Sequence, residues 1–199
     1  CSELASVRVD DPALCPRYTA RVIQGVKVGP SPAWMVERLE AVGMRSINNV
    51  VDVTNYVLME YSQPLHSFDY DRLSGHAIIV RRAREGELLV SIDQTKCRLD
   101  PSMLVIADAD KPVAIAGIMG GLDSEVGDQT VNVLLESAQF DPLSIRRTSR
   151  KLALMSESNY RFERGVDPVG VDQASLRACQ LIIQLAGGKL AEGLVDVWA

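Results

Sequence analysis

VNVLLESAQF, residues 131–140, reads as a β-strand in which Leu134, Glu136 and Ala138 share one face. A carboxylate is thereby set between two apolar neighbours. If that face is buried, the charge needs an Arg, a Lys or a ligand donor as its partner; the strand pattern alone does not say which. Upstream of it, AIIVRRA (77–83), ELLVSID (87–93), MLVIAD (103–108) and PVAIAGIM (112–119) are further short β-branched runs, separated by Gly, Asp and Pro. RYTARVIQGVKV (17–28) has the same strand character.

Helical patterns flank this strand-rich middle. PSPAWMVERLEAVG (30–43) offers Ser31 as N-cap, Pro32 at the first helical position and Gly43 as the stop, with Met35, Leu39 and Val42 on one face. NVVDVTNYVLMEYS (49–62) predicts a helix with Val50, Val53, Val57 and Leu58 inward, ended by Pro64. After Asp141 and Pro142, DPLSIRRTSRKLAL (141–154) predicts another. VDPVGVDQASLRACQLIIQLAGG (166–188) carries Val171, Ala174, Leu176, Ala178, Leu181, Ile182 and Leu185 and stops at Gly187 and Gly188; LAEGLVDVWA (190–199) returns as a strand. Strands and helices mix without a regular βαβ rhythm, so a doubly wound sheet is not favoured.

Bulk properties exclude several classes. The 199 residues are 47% apolar and 24% charged, ordinary for a globular protein. No apolar run reaches the roughly 18–20 residues of a membrane span. The chain starts at Cys1 without a leader-like segment, as expected of a piece of a longer chain. Four scattered cysteines without C-x-x-C spacing, and only two histidines, make a zinc site unfavourable and suggest reduced thiols. A net charge of −5 argues against a general nucleic-acid coat, yet SIRRTSRK (144–151) concentrates Arg146, Arg147, Arg150 and Lys151 as a solvated helix face or a local anion contact.

No G-x-S-x-G, H-E-x-x-H, Walker A or G-x-G-x-x-G motif is present. AGIMGGLDSEVGD (116–128), with Gly117, Gly120 and Gly121, suits either a tight turn or a loop that lets a ligand approach backbone amides. SQPLHSFDYDRL (62–73) reads as a loop containing His66, which is either satisfied by backbone groups or functional. The polar Thr54-Asn55-Tyr56 upstream, on a partly buried segment, favours a pocket nearby.

Taken together, RSINNVVDVTNYVLMEYSQPLHSFDYDRL (45–73), AIAGIMGGLDSEV (114–126), NVLLESAQFDPLSIRRTSRKLAL (132–154) and SNYRFERGVDP (158–168) resemble, in order, the B3/B4 editing region of the bacterial phenylalanyl-tRNA synthetase β subunit. The resemblance implies a mixed α and β fold, a three-layer β/β/α sandwich of unusual topology, with residues 1–199 forming one B3/B4-type domain of a longer subunit. It implies hydrolysis of tyrosine mistakenly attached to tRNA(Phe), with Thr54, Asn55 and His66 in the catalytic pocket, Gly120 at its border and Glu136 facing the amino-acid side chain. Ser156 and Ser158 fall at pocket positions where the family commonly has threonine and alanine; both stay small, so the pocket is expected to be open. Backbone amides near Gly120 are expected oxyanion donors, and Arg146 and Arg150 expected tRNA contacts.

The implied partners are the tRNA 3′ end, the synthetase α subunit and other β-subunit domains in a cytoplasmic heterotetramer of two α and two β subunits, with no membrane. No cofactor is expected in this domain; ATP and Mg2+ would serve the aminoacylation site elsewhere. The alternative is a non-catalytic module docking tRNA or a subunit, or a pocket for another phenolic ligand.

Overall fold

The computed structural model describes residues 1–198. Twelve strands run β1 (Ser6–Val9), β2 (Arg17–Gln24), β3 (Leu65–Asp69), β4 (Ala77–Arg82), β5 (Leu88–Val90), β6 (Lys96–Arg98), β7 (Leu104–Ala107), β8 (Pro112–Ile115), β9 (Met119–Gly120), β10 (Asn132–Gln139), β11 (Lys189–Leu190) and β12 (Val195–Trp198). The helices are α1 (Ala33–Ala41), α2 (Val51–Tyr61), α3 (Pro142–Leu152), α4 (Glu157–Phe162) and α5 (Gly170–Ala186). One sheet has the order β1-β4-β7-β8-β9; a second has β11-β2-β10-β3 with β12 also on β2; β5 and β6 form a separate hairpin.

Strand alternation in the second sheet produces three layers. From β2 and β10, Tyr18, Ala20, Val22, Leu134 and Ala138 join the core shared with Ile78, Val80, Val105, Ile106 and Val113 of the first sheet. Their neighbours Ile23, Val133 and Leu135 point the opposite way, onto Val53 and Val57 of α2 and Ala174, Ala178 and Ile182 of α5. The order is sheet, sheet, helices: the mixed β/β/α arrangement. The polar groups on the helix-facing side are satisfied. Thr19 Oγ1 donates to Ser137 O at 2.7 Å, Ser137 Oγ to Val171 O at 2.8 Å, and Arg21 Nε to Ser175 Oγ at 2.9 Å.

Several sequence expectations change. Residues 62–73 are not a loop: Leu65–Asp69 is β3, paired antiparallel with β10 from Val133↔Asp69 to Ser137↔Leu65. Ser31 does not cap α1. Pro32, which has no polar side-chain group to cap with, occupies that position, and the Ser31 hydroxyl donates instead to Asp52 at 2.6 Å. Val42, grouped with Met35 and Leu39 on one helix face, is exposed; of the apolar residues carried by the last helix, Leu176 is exposed and Leu185 half-buried. β1, β6 and α4 have no counterpart among the expected elements. The expected final strand is present as β12; its last residue, Ala199, lies outside the described residues.

Candidate functional site

A cavity of about 290 Å3 opens between the two sheets, one face of α2 and the start of α4. Its helical wall comes from α2, where Val51, Thr54, Asn55 and Leu58 fall three to four residues apart on one face. Asp52 fastens the rim next to it: its carboxylate accepts from Ser46 Oγ at 2.5 Å and from the Ile47 amide at 2.7 Å. That holds Met44 and Ile47 at the mouth.

The sheet wall is set by register. Glu136 stands directly opposite Ala20 on β2 and opposite His66 on β3. The small Ala20 leaves space on one side, and His66 presents its ring on the other. That ring packs edge-to-face on Phe68, centroids 4.4 Å apart. His66 Nε2 is shut away from solvent and has no hydrogen-bond partner among the described residues. Burial pushes the imidazole down to about 4, so the ring is neutral at neutral pH.

Gly120 on β9 is shaped to this ring. A Cβ at position 120 would stand 2.8 Å from His66 Nε2, closer than packed atoms tolerate. Glycine is needed here for close approach rather than for backbone conformation. The neighbouring amides are already committed, Ile118 N donating to Ile115 O at 3.0 Å and Gly121 N to Val113 O at 2.7 Å. Those two are therefore not the free oxyanion donors that the glycine-rich segment suggested.

Ser156 and Ser158 lie at the start of α4. Ser156 is its N-cap, accepting from the Asn159 amide at 3.1 Å, while its hydroxyl donates to Ile118 O at 2.8 Å. The serine thus clamps α4 to the segment leading into Gly120. Thr54 Oγ1 is likewise engaged, donating to Val51 O at 2.7 Å.

Glu136 is buried, and its partner is not the Arg or Lys considered from sequence. Tyr18 donates its hydroxyl to Glu136 Oε2 at 2.6 Å. Burial raises the Glu136 carboxyl to about 7, with the Tyr18 hydrogen bond working against that rise. Sequence reasoning does not single out Tyr18. The available signal is a phenol within an otherwise apolar strand face, whose hydroxyl must find a partner once buried.

All of Thr54, Asn55, His66, Gly120, Glu136, Ser156 and Ser158 line this one cavity. Arg146 and Arg150 do not; they lie exposed on α3, with Arg147 beside them. Lys151 pairs with Asp100 at 2.7 Å. Among the described residues no three His, Cys, Asp or Glu side chains are grouped to hold a metal, and no helix is long and apolar enough to cross a membrane.

A largely apolar cavity between two sheets, walled by α2 and α4 and holding one buried carboxyl, marks a domain of the mixed α and β class with an enclosed site of small-molecule size. The chain belongs to the B3/4 domain family, whose profile matches residues 14–187. It is 57% identical over 195 residues to the phenylalanine-tRNA ligase beta subunit of Moorella thermoacetica, covering 98% of this chain and 24% of that protein. The corresponding subunit of Geobacter sulfurreducens is 57% identical over 197 residues, covering 99% and 25%. The chain thus spans about a quarter of the length of these curated relatives. In fold it is similar to the crystal structure of an N-terminal fragment of the phenylalanyl-tRNA synthetase beta subunit from Pyrococcus horikoshii. That match has a TM-score of 0.56 and 10% identity, and covers 98% of this chain and 55% of that one.

Proposed function

We propose that this domain hydrolyses the ester of tyrosine misattached to tRNA(Phe), as the editing module of a phenylalanyl-tRNA synthetase. The observation that carries the reading is Glu136: a buried carboxyl in the wall of an amino-acid-sized cavity, bonded to a phenol and to no cation among the described residues. Phenylalanine and tyrosine differ by one hydroxyl, which an apolar synthetic pocket rejects only weakly. A second site that demands the hydroxyl does better. Phenylalanine would leave the Glu136 oxygen that Tyr18 does not hold dry and unpaired, at a cost of about 1–3 kcal/mol or more for a charged group. Tyrosine satisfies it.

The substrate is an activated ester, so hydrolysis needs a held carbonyl and an aligned water more than a nucleophilic triad. We assign Asn55 and His66, which both line the cavity, to orienting them. A neutral imidazole with its pKa near 4 is a weak base, which favours orientation over proton storage for His66. The partners of this reading are the tRNA 3′ end, the α subunit and the remaining β-subunit domains of a cytoplasmic heterotetramer; ATP and Mg2+ act at its aminoacylation site. Arg146 and Arg150 of α3, which packs beside α4, are the proposed partners of tRNA phosphates. The test is whether Glu136→Gln in the full synthetase removes the preference for tyrosyl over phenylalanyl ester. If the variant keeps that preference, the reading is wrong.

A further inference from the structure

Glu136 has two carboxyl oxygens, and the fold occupies one. Tyr18 lies on β2 diagonally across from Glu136: it pairs with Ala138, and Glu136 pairs with Ala20. Both side chains project into the space between the sheets, where Tyr18 is fully buried. Its hydroxyl, 2.6 Å from Oε2, makes the single side-chain hydrogen bond to Glu136 among the described residues. The last torsion of a glutamate is soft and would otherwise allow either oxygen to turn away from a ligand.

We infer that Tyr18 is a specificity-determining positioning residue: by tying down Oε2 of Glu136 it leaves Oε1 as the acceptor for a ligand's phenolic hydroxyl. The inference rests on the proposed reading of Glu136 as the group that recognises tyrosine.

Charge sharpens the role. An ionised Glu136 penalises phenylalanine heavily, because a bare buried carboxylate is left behind; a protonated one penalises it far less. Burial favours the protonated form, and the Tyr18 bond opposes it. The other titratable groups near Glu136 supply no cation. His66 is held neutral by burial, and the Cys15 thiol is pushed upward by burial and by Glu136 itself, so it stays protonated. Tyr18 is in turn held as a phenol, since burial and the Glu136 charge raise it well above its ordinary value. The pair therefore keeps a carboxylate available near neutral pH without a salt bridge that would compete for Oε1.

The experiment measures hydrolysis of tyrosyl-tRNA and phenylalanyl-tRNA by the full synthetase as a function of pH. It compares wild type, Tyr18→Phe, Glu136→Gln and the double variant. Wild-type selectivity should rise with a midpoint near the Glu136 value of about 7. Tyr18→Phe should displace that midpoint upward and lower the selectivity at neutral pH by about fivefold, as for a midpoint one pKa unit higher. In the Glu136→Gln background the Tyr18 change should have no further effect on selectivity. A Tyr18→Phe enzyme with the wild-type midpoint and selectivity, alongside a Glu136→Gln enzyme that has lost them, would overturn the inference alone. If Glu136→Gln is itself indistinguishable from wild type, the underlying reading of the site fails and the inference falls with it.

Discussion

Gly120 and His66 act as a fitted pair, because the ring occupies the volume that any side chain at position 120 would need. Gly120→Ala should turn the imidazole out of its place against Phe68. Misplacing an orienting group by about 1 Å costs on the order of 10²-fold in rate, so hydrolysis of tyrosyl-tRNA by the full synthetase should fall by up to that factor. A Gly120→Ala enzyme with an unaltered rate would show that the position of His66 is unimportant. At this scale the sequence exposes Glu136 well, since period-two alternation marks a carboxylate among apolar neighbours. It does not expose Tyr18, whose partnership depends on how β2 registers against β10 across more than a hundred residues of chain. His66 is legible only through resemblance, because one histidine in a polar stretch has no pattern of its own.

The elements are readable where periodicity is strong. α2 emerges from its spacing, and that spacing also places Thr54 and Asn55 one turn from Val51 and Leu58 on the cavity wall. β3 is hidden because its five residues lie between Pro64 and an Asp-rich turn and do not alternate cleanly. Its strand state comes from β10, which supplies the hydrogen-bonding edge. Ser31 departs from its expected capping role because the nearby Asp52 carboxylate draws its hydroxyl into a charge-assisted bond, a partner that local sequence does not reveal. On α3, Ile145, Thr148 and Ser149 are buried while Arg146, Arg147 and Arg150 face outward. Arg146→Glu combined with Arg150→Glu should weaken tRNA binding and flatten its dependence on salt, by about 0.7–0.9 in logarithmic slope for each phosphate no longer neutralised. An unchanged slope would make α3 a solvated face.

For the whole molecule, two oppositely perturbed groups share the space between the sheets, and their effects on stability have opposite signs. Glu136 titrates near 7 in the fold against 4.5 for an ordinary glutamate. The folded state therefore retains a proton that the unfolded chain has released, and this stabilisation is complete below about 4.5 and lost as pH rises through 7. His66 titrates near 4 against 6.5. The unfolded chain binds that proton first, so stability falls as pH drops from 6.5 towards 4. Between those limits the two slopes oppose one another. Glu136→Gln removes the alkaline loss and should stabilise this chain progressively from about pH 5 to about pH 8, by up to about 3 kcal/mol, in urea unfolding. An equal effect at both ends of that range would contradict a buried, raised carboxyl. The three-layer order is only partly foreseeable: mixed strands and helices are evident, but which sheet face meets helices depends on long-range pairing. Selection of tyrosine by Glu136 is tested most directly by the ratio of tyrosyl-tRNA to phenylalanyl-tRNA hydrolysis in the full synthetase, with and without Glu136→Gln. That ratio should collapse towards unity in the variant; a variant that still discriminates as the wild type does would contradict the role assigned to Glu136.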